Sequence, residues 1–489
     1  MAGWQVAMFI MIGYLVIALV IGVMAGKGRD KGSLDEFAVA GRKLGLVVMW
    51  FLMGGAIFSA FSFLGAPGWA YSKGAPALYI LTYTAFAILP WYIIGPKIGK
   101  IGRKFSIYTV SGFMKKRYGG RLLPILIGLI TLFASIQYLA TQMKGMAYVF
   151  NIMTEGRIPF WLGALLAYGI VVVYVATGGL RAAAWSDVFQ GLLMIIISWV
   201  VGLAIVNQLH NSVSGMFTNL TETNPGFLEI GNAGSTMSPM AYTTTILVSL
   251  IGFLMWPHLF SKSYASNART IKKTVIIYPV FALFLIPLLL VGFAAVNVIN
   301  PSELGSPDEI LPVLITTVLS LPSWVYGLVG AGALAAAMSS ADAITHSASL
   351  EFTDGVIKNI KTDLSEKTTL LLMRIGIFVI GAFAYFITIF GGQGLITLLL
   401  GAYGSIVQFA PGVYGALFSK RVTAPAVITG LIVGTLVNYY YQLVAESTPL
   451  GIHAGILGLL CNVVIVIVVS AMSQSKNAAV AEDYTKIGS

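Results

Sequence analysis

The sequence predicts an all-α membrane protein that crosses the bilayer thirteen times, and three observations carry this reading. Hydrophobic residues make up 57% of the 489-residue chain and charged residues only 10%, a balance typical of polytopic membrane proteins and not of soluble ones. Apolar runs of roughly 20 residues, the length that spans a bilayer, recur from end to end. The lysines and arginines fall almost entirely on one side of the resulting layout.

The runs lie near 4–25, 46–71, 76–96, 122–150, 159–177, 183–207, 243–260, 274–297, 322–347, 368–390, 394–418, 424–444 and 450–472. The first lacks a basic start and is followed by Lys27, Arg29 and Lys31, so it reads as a retained anchor whose start lies outside. The segments 26–45 and 97–121 are then cytoplasmic and carry dense basic clusters, among them Arg42, Lys43, Arg103, Lys104, Lys115 and Lys116. Later inside positions include Arg181, Lys262, Lys358, Arg374, Lys420 and Lys486. Of 29 Lys and Arg, only Lys73 and Arg157 fall outside, with Lys144 inside a span. Cytoplasmic loops are enriched in basic residues, so this one-sidedness supports an odd span count and a cytoplasmic C-terminus in the cell membrane.

The same bias accounts for the net charge of +11 without invoking nucleic acid. The single cysteine, Cys461, excludes a disulfide within the chain and a cysteine metal cluster. The four histidines are scattered, with no spacing of the H-E-x-x-H kind. No protein partner and no resident cofactor is indicated. Segment 208–242 reads as an external loop, and the polar tail from Ser473 as mobile.

Two spans carry helix breakers. The second holds Gly54, Gly55, Gly65, Pro67 and Gly68, and the seventh holds Gly252 and Pro257. Breaks five spans apart divide the chain into two five-helix halves, 46–207 and 243–418. These are preceded by an extra helix and cytoplasmic loop (1–45), separated by the loop 208–242, and followed by two helices and a tail (419–489). An odd number of spans per half inverts the second half relative to the first. Broken helices expose carbonyl and amide groups at mid-membrane, where they bind cations and anionic solute groups. Ordinary packing is the competing account, because Gly and Pro are common in membrane helices.

Four local patterns resemble the sodium:solute symporter family: Asp35-Glu36-Phe37 with Ala40-Gly41-Arg42; Gly178-Gly179-Leu180-Arg181 with Trp185-Ser186-Asp187; Trp256-Pro257-His258; and Ala335 through Ser340. They span nearly the whole chain in the family's order. The resemblance implies a LeuT-like five-plus-five inverted repeat with one helix before it and two after. Phe61 through Tyr71 looks most like the bacterial monocarboxylate branch.

A dehydrated sodium ion takes several oxygen ligands, as hard cations do. Ala336, Ser339 and Ser340 are spaced i, i+3, i+4 and share one helical face. By resemblance, the carbonyls of Gly55 and Phe58 complete a sodium site there. Alternatively, the two serines bond to carbonyls one turn back. Asp187 lies about 9 Å into its helix beyond Arg181, and the resemblance puts it near the sodium exit path. Family members with a second sodium site place a serine where this chain has Asp342, and Ala343 follows. Asp187 and Asp342 therefore predict either a modified second cation site or a proton site, since neighbouring carboxylates can share a proton. Ser339, Asp342 and His346 follow one face, as a proton route would. An alternative role for Asp342 is to bind a backbone amide.

Ser59 and Ser62 follow the first break and match positions that contact solute in some family members. Gln408 can read a solute hydroxyl, and Phe253 and Trp256 can wall the site or pack against lipid or core. Lys144 can pair a carboxylate solute or snorkel outward. The resulting expectation is a transporter, not an enzyme: sodium-coupled uptake of a small organic solute, a monocarboxylate such as lactate or pyruvate. The alternative is proton-coupled or sodium/proton-coupled transport of amino acids or another carboxylate such as pantothenate. A sensor would need a signalling module, and none follows Ser473. A channel fits paired broken helices less well than an alternating site does.

Overall fold

Backbone groups surrounded by lipid must pair within their own segment, which makes a helix the expected form for every apolar run. The computed structural model describes residues 3–27, 32–231, 235–319, 321–391, 395–445, 447–474 and 477–487, and among these every regular element is helical. Arg29 and Lys31 of the first basic loop lie outside the described residues.

The chain begins with α1 (Gly3–Ala25), α2 (Leu34–Val39), α3 (Leu46–Gly55), α4 (Ala66–Lys73), α5 (Tyr79–Phe86), α6 (Trp91–Phe105), α7 (Val110–Tyr118), α8 (Leu122–Met153) and α9 (Phe160–His210). It continues through α10 (Val213–Thr223), α11 (Pro239–Phe253), α12 (Pro257–Phe260), α13 (Ala268–Ala282), α14 (Leu285–Ala295), α15 (Ile310–Val313) and α16 (Ser323–Phe352). The remaining helices are α17 (Lys358–Ile360), α18 (Glu366–Phe390), α19 (Leu395–Ile406), α20 (Ala410–Phe418), α21 (Ala424–Leu443), α22 (Ala454–Met472) and α23 (Ala478–Lys486).

Helix α16 is the axis of the fold. The most apolar stretch of its span is 94% buried, and it packs against α1, α8, α9 and α18. Its small residues, including Gly330, Gly332, Ala333 and Ala335 to Ala337, let neighbouring backbones approach closely, as membrane interfaces require.

Eight helices are long and apolar enough to cross a membrane singly, or up to eleven if each of three bent pairs is one span. The sequence expectation was thirteen. The difference arises because breaks cut predicted spans into shorter helices. Two bends fall within predicted spans, 49° at Ala75–Phe86 and Trp91–Phe105 and 46° at Pro239–Phe253 and Pro257–Tyr264, and a third, 111°, joins Leu34–Arg42 of the predicted loop to Leu46–Gly55. Conversely, α9 merges two predicted runs. Its 51 residues would extend about 76 Å at 1.5 Å per residue, well beyond a hydrocarbon core of about 30 Å. It is broken at Gly179, whose φ of 55° and ψ of −147° are not helical. A Cβ there would meet the Phe37 carbonyl at 2.5 Å.

Two segments read as irregular carry structure of their own. The loop 208–242 contains α10, capped by the Ser212 hydroxyl. The tail, expected to be mobile, contains α23. There Tyr484 is buried, its hydroxyl donates to the Phe113 carbonyl at 2.9 Å, and Asp483 pairs with Lys104 at 2.9 Å. Helix α7 beneath it is held at its N-terminus by Glu351, whose carboxylate accepts from the Ser111 amide at 3.0 Å and the Ser111 hydroxyl at 2.7 Å. An acid placed there offsets the exposed amides of a helix start.

Candidate ion and substrate site

The first break begins where α3 ends at Gly55. The next amides turn back tightly, with Ile57 and Phe58 both donating to the Gly54 carbonyl at 2.9 Å. The chain re-enters helix through a wide turn at Phe61–Gly65. The freed Ala60 amide donates to Gln142 Oε1 at 3.0 Å. The freed Gly55 carbonyl accepts from Ser339 Oγ at 3.0 Å and Ser340 Oγ at 2.8 Å. Ser339 Oγ also contacts the Ala336 carbonyl at 3.1 Å. Four of the five predicted sodium ligands thus converge between the broken helix and α16. Phe58 lies on the same broken turn, its ring stacked on Phe281 at 4.9 Å and edge-on to Phe284 at 4.6 Å. Back-bonding accounts for part of Ser339 but not for Ser340, whose hydroxyl crosses to another helix.

Both predicted aspartates are buried beside this cluster. A Cβ on Gly55 would sit 3.0 Å from Asp187 Cγ and 3.1 and 3.2 Å from its two oxygens. Only glycine lets the carboxylate lie so close to the break. Neither Asp187 oxygen has a hydrogen-bond partner among the described residues. Asp342 Oδ2 accepts from the Tyr174 hydroxyl at 2.9 Å and from Ser186 Oγ at 3.3 Å. Ser186 adjoins Asp187, so α9 brings the two carboxylates into each other's field. His346, one turn further along α16, is hydrogen-bonded through Nε2 to the Phe37 carbonyl at 2.9 Å.

Lys262 corrects the charge layout. Counted as a loop cation from the sequence, it is fully buried, donates through Nζ to the Leu52 carbonyl, and acts electrostatically on both aspartates. The second break explains why. Pro257 has no amide hydrogen and holds Trp256 in an extended conformation (φ −58°, ψ 124°), as a residue before proline prefers. The short turns that follow keep the chain inside the protein instead of delivering it to the surface.

The predicted solute residues divide. Ser59, Phe253 and Trp256 are all fully buried near the breaks, which rules out lipid contact for the two aromatic rings. Ser62 Oγ donates back to the Ile57 carbonyl at 3.4 Å, within its own break. Gln408 is engaged elsewhere: its Nε2 donates to the Gly404 and Gly455 carbonyls at 3.0 Å each, and its Oε1 accepts from Asn462 at 3.2 Å. Those bonds join α19, α22 and the turn at Val407–Phe409. Lys144 is nearly buried and lies in the field of Asp308 from the segment before α15.

The sequence profile of the sodium:solute symporter family matches residues 37–434. The uncharacterized symporter YhjB of Bacillus subtilis is 30% identical over 97% of this chain and 99% of its own length. The monocarboxylate transport permease of Rhizobium johnstonii is 25% identical over 96% of this chain and 97% of its own. A solved Na+-coupled sialic acid symporter, in a substrate-bound outward-open state, superposes with a TM-score of 0.80 at 20% identity over 96% of this chain and 99% of that one. The chain belongs to the sodium:solute symporter family. Its fold is that of the sialic acid symporter, and the named relatives and this structural neighbour are transporters.

Two features of this sodium:solute symporter escaped the sequence reading. One is Lys262, whose signal was its position five residues after a proline that breaks a span. The other is a set of buried tyrosines, Tyr79, Tyr138, Tyr278 and Tyr403, gathered from four helices around Trp256. Aromatic residues are too common in membrane helices for any one of them to have been singled out.

Proposed function

We propose that this chain is a secondary active symporter in which a sodium gradient drives uptake of a small organic solute, a monocarboxylate such as lactate or pyruvate, by alternating access. The observation that carries the ion half is the meeting of the Ser339 and Ser340 hydroxyls on the Gly55 carbonyl. Sodium would bind there once the two hydroxyls rotate their hydrogens away from the Gly55 carbonyl, held by the carbonyls of Gly55, Phe58 and Ala336 and the two serine oxygens. The set is neutral, which suits an ion that must also be released.

The architecture in this reading is a LeuT-like inverted repeat, 46–207 against 243–418, with thirteen crossings, the N-terminus outside and the C-terminus cytoplasmic. Support for the count comes from the Gly179 break, which divides α9 in two, and from the helical run Leu395–Phe418. Support for the orientation is the one-sided distribution of Lys and Arg. Support for the monocarboxylate assignment comes from the Rhizobium permease.

A second reading rests on Asp187 and Asp342. Two buried carboxylates facing one buried ammonium leave a net negative charge when all are ionised, and an entering cation neutralises it. That cation is a second sodium ion or a proton. Proton or sodium/proton coupling, with amino acids or pantothenate as solute, follows if the proton fills the site. Counterflow in liposomes with sodium and proton gradients imposed separately, over lactate, pyruvate, acetate, alanine, proline and pantothenate, decides between the readings. Uptake of any of these driven by protons alone overturns the first.

A further inference from the structure

Buried hydrogen-bond donors rarely stay without an acceptor, because desolvating them is costly. Arg117, on α7, is such a case outside the ion site. Its side chain is fully buried, yet among the described residues no acid pairs with it and its Nε has no hydrogen-bond partner. Nη2 donates to the carbonyls of Ser419 and Val422 at 3.0 and 3.4 Å, and the Tyr118 ring lies 4.8 Å from the guanidinium carbon. Carbonyls and rings are neutral, so the guanidinium keeps its full charge. A buried charge of this kind is costly unless an anion meets it.

There is room for one. Arg117 lines a cavity of about 240 Å³ together with Gly119, Gly120, Ala424, Pro425 and Ile428. A water molecule takes roughly 30 Å³ in the liquid, so a phosphate group fits. Helix α21 starts at this cavity, and the first amides of a helix have no acceptor within it. Thr423, the residue before α21, supplies none: its hydroxyl is bonded to Ser473 Oγ at 2.6 Å instead. The positive end of a 20-residue helix thus meets the cavity that the unpartnered guanidinium lines.

The surroundings favour an anion as well. Lys115, Lys116 and Arg121 are exposed on either side of Arg117 in the chain. The acids of α23 are engaged elsewhere, Glu482 with Lys420 and Lys486, and Asp483 with Lys104. From Pro425 and Ile428 an outward apolar stripe continues along α21 through Ile432, Leu436 and Tyr440.

We propose that this cavity binds a phosphate group, whose oxygens are held by the Arg117 guanidinium and the first amides of α21. The planar fork of arginine suits phosphate geometry. The group comes either from a membrane phospholipid or from free phosphate. The apolar stripe offers a path for an acyl chain, and basic pockets between membrane helices hold anionic headgroups, so a phospholipid is the expected carrier. No residue of the cavity belongs to the proposed ion site, so the inference does not depend on the symport reading.

The test uses the purified, delipidated full-length protein in detergent at constant sodium and ionic strength. Phosphatidylglycerol, phosphatidylcholine and inorganic phosphate are added in turn, and melting temperature gives the half-effective concentration of each. Phosphatidylglycerol is expected to act at the lowest concentration. Gly120→Asp sets a carboxylate at the rim, where φ is +72° and nothing lies within 4 Å of an added Cβ; Asp and Asn tolerate that conformation better than most residues. Relative to its neutral counterpart Gly120→Asn, it is expected to raise the half-effective phosphatidylglycerol concentration at least about tenfold. Arg117→Gln is expected to do the same, the scale of one charge-assisted interaction. Lys361→Gln, which removes an exposed charge elsewhere, is expected to change nothing. Stabilisation by inorganic phosphate and not by the lipid, lost in Gly120→Asp, would support the site and assign it to free phosphate. No stabilisation by any of the three, Gly120→Asp and Gly120→Asn responding alike, or a loss in Lys361→Gln as large as in Gly120→Asp would each overturn the proposal. If Arg117→Gln does not fold, the Gly120 pair still decides.

Discussion

Replacing Ser340 by alanine isolates one ligand of the proposed sodium site. Its hydroxyl donates to the Gly55 carbonyl at 2.8 Å, whereas that of Ser339 is shared between Gly55 and Ala336 at 3.0 and 3.1 Å. Two effects follow from Ser340→Ala. Without sodium, the protein loses one buried neutral hydrogen bond, about 1 kcal/mol. With sodium bound that hydrogen bond is already gone, and the variant instead loses an oxygen ligand to the ion, an interaction on the scale of a charge-assisted bond, roughly 1.5–3 kcal/mol. The affinity changes by the difference, about 0.5–2 kcal/mol, which corresponds to a rise of about two- to thirtyfold in half-saturating sodium. The assay is the initial rate of lactate uptake into proteoliposomes against external sodium, paired with melting curves to show that the variant is folded. A folded variant with unchanged half-saturating sodium would refute the placement of the ion between Gly55 and Ser340.

Further outcomes are expected from substitutions elsewhere. Gly179→Ala forces a side chain into a conformation that costs about 1–3 kcal/mol and against the Phe37 carbonyl, 2.5 Å from the added carbon; the purified protein should melt clearly lower. Asp342→Asn removes the acceptor charge facing Tyr174 and Ser186; under the proton-coupled reading the pH dependence of uptake flattens, and an unaltered pH profile excludes a proton at this residue. Tyr484→Ala empties a buried aromatic position beneath α23, at about 3 kcal/mol, so limited proteolysis should release the segment after Met472 while sodium dependence persists. If the tail stays protected, its docking does not depend on Tyr484.

Apolar runs made the all-helical character of the chain legible, because lipid imposes helix on any apolar stretch, but not the number of spans, since breaks inside the runs are set by tertiary contacts. The pairing of Gly55 with Ser339 and Ser340 was reachable only through the family resemblance, since the spacing of Ala336, Ser339 and Ser340 is equally compatible with bonds to carbonyls one turn back. Lys262 and Gln408 were misread for one common reason. Their neighbours in space come from distant segments, α3 for Lys262 and α22 for Gln408, and local composition carries no trace of those contacts. The buried tyrosines around Trp256 were hidden in the same way, because each ring alone looks like ordinary packing. Docking of α23 depends on Tyr484 meeting Phe105 and Phe113, which a polar tail sequence does not announce.

Sodium coupling is tested most directly in liposomes holding the purified protein, with an inward sodium gradient and no proton gradient. The account predicts accumulation of lactate above its external concentration, abolished when external sodium is replaced by choline and sharply weakened at limiting sodium in Ser340→Ala. Lactate accumulation that ignores sodium and follows an imposed proton gradient would contradict it.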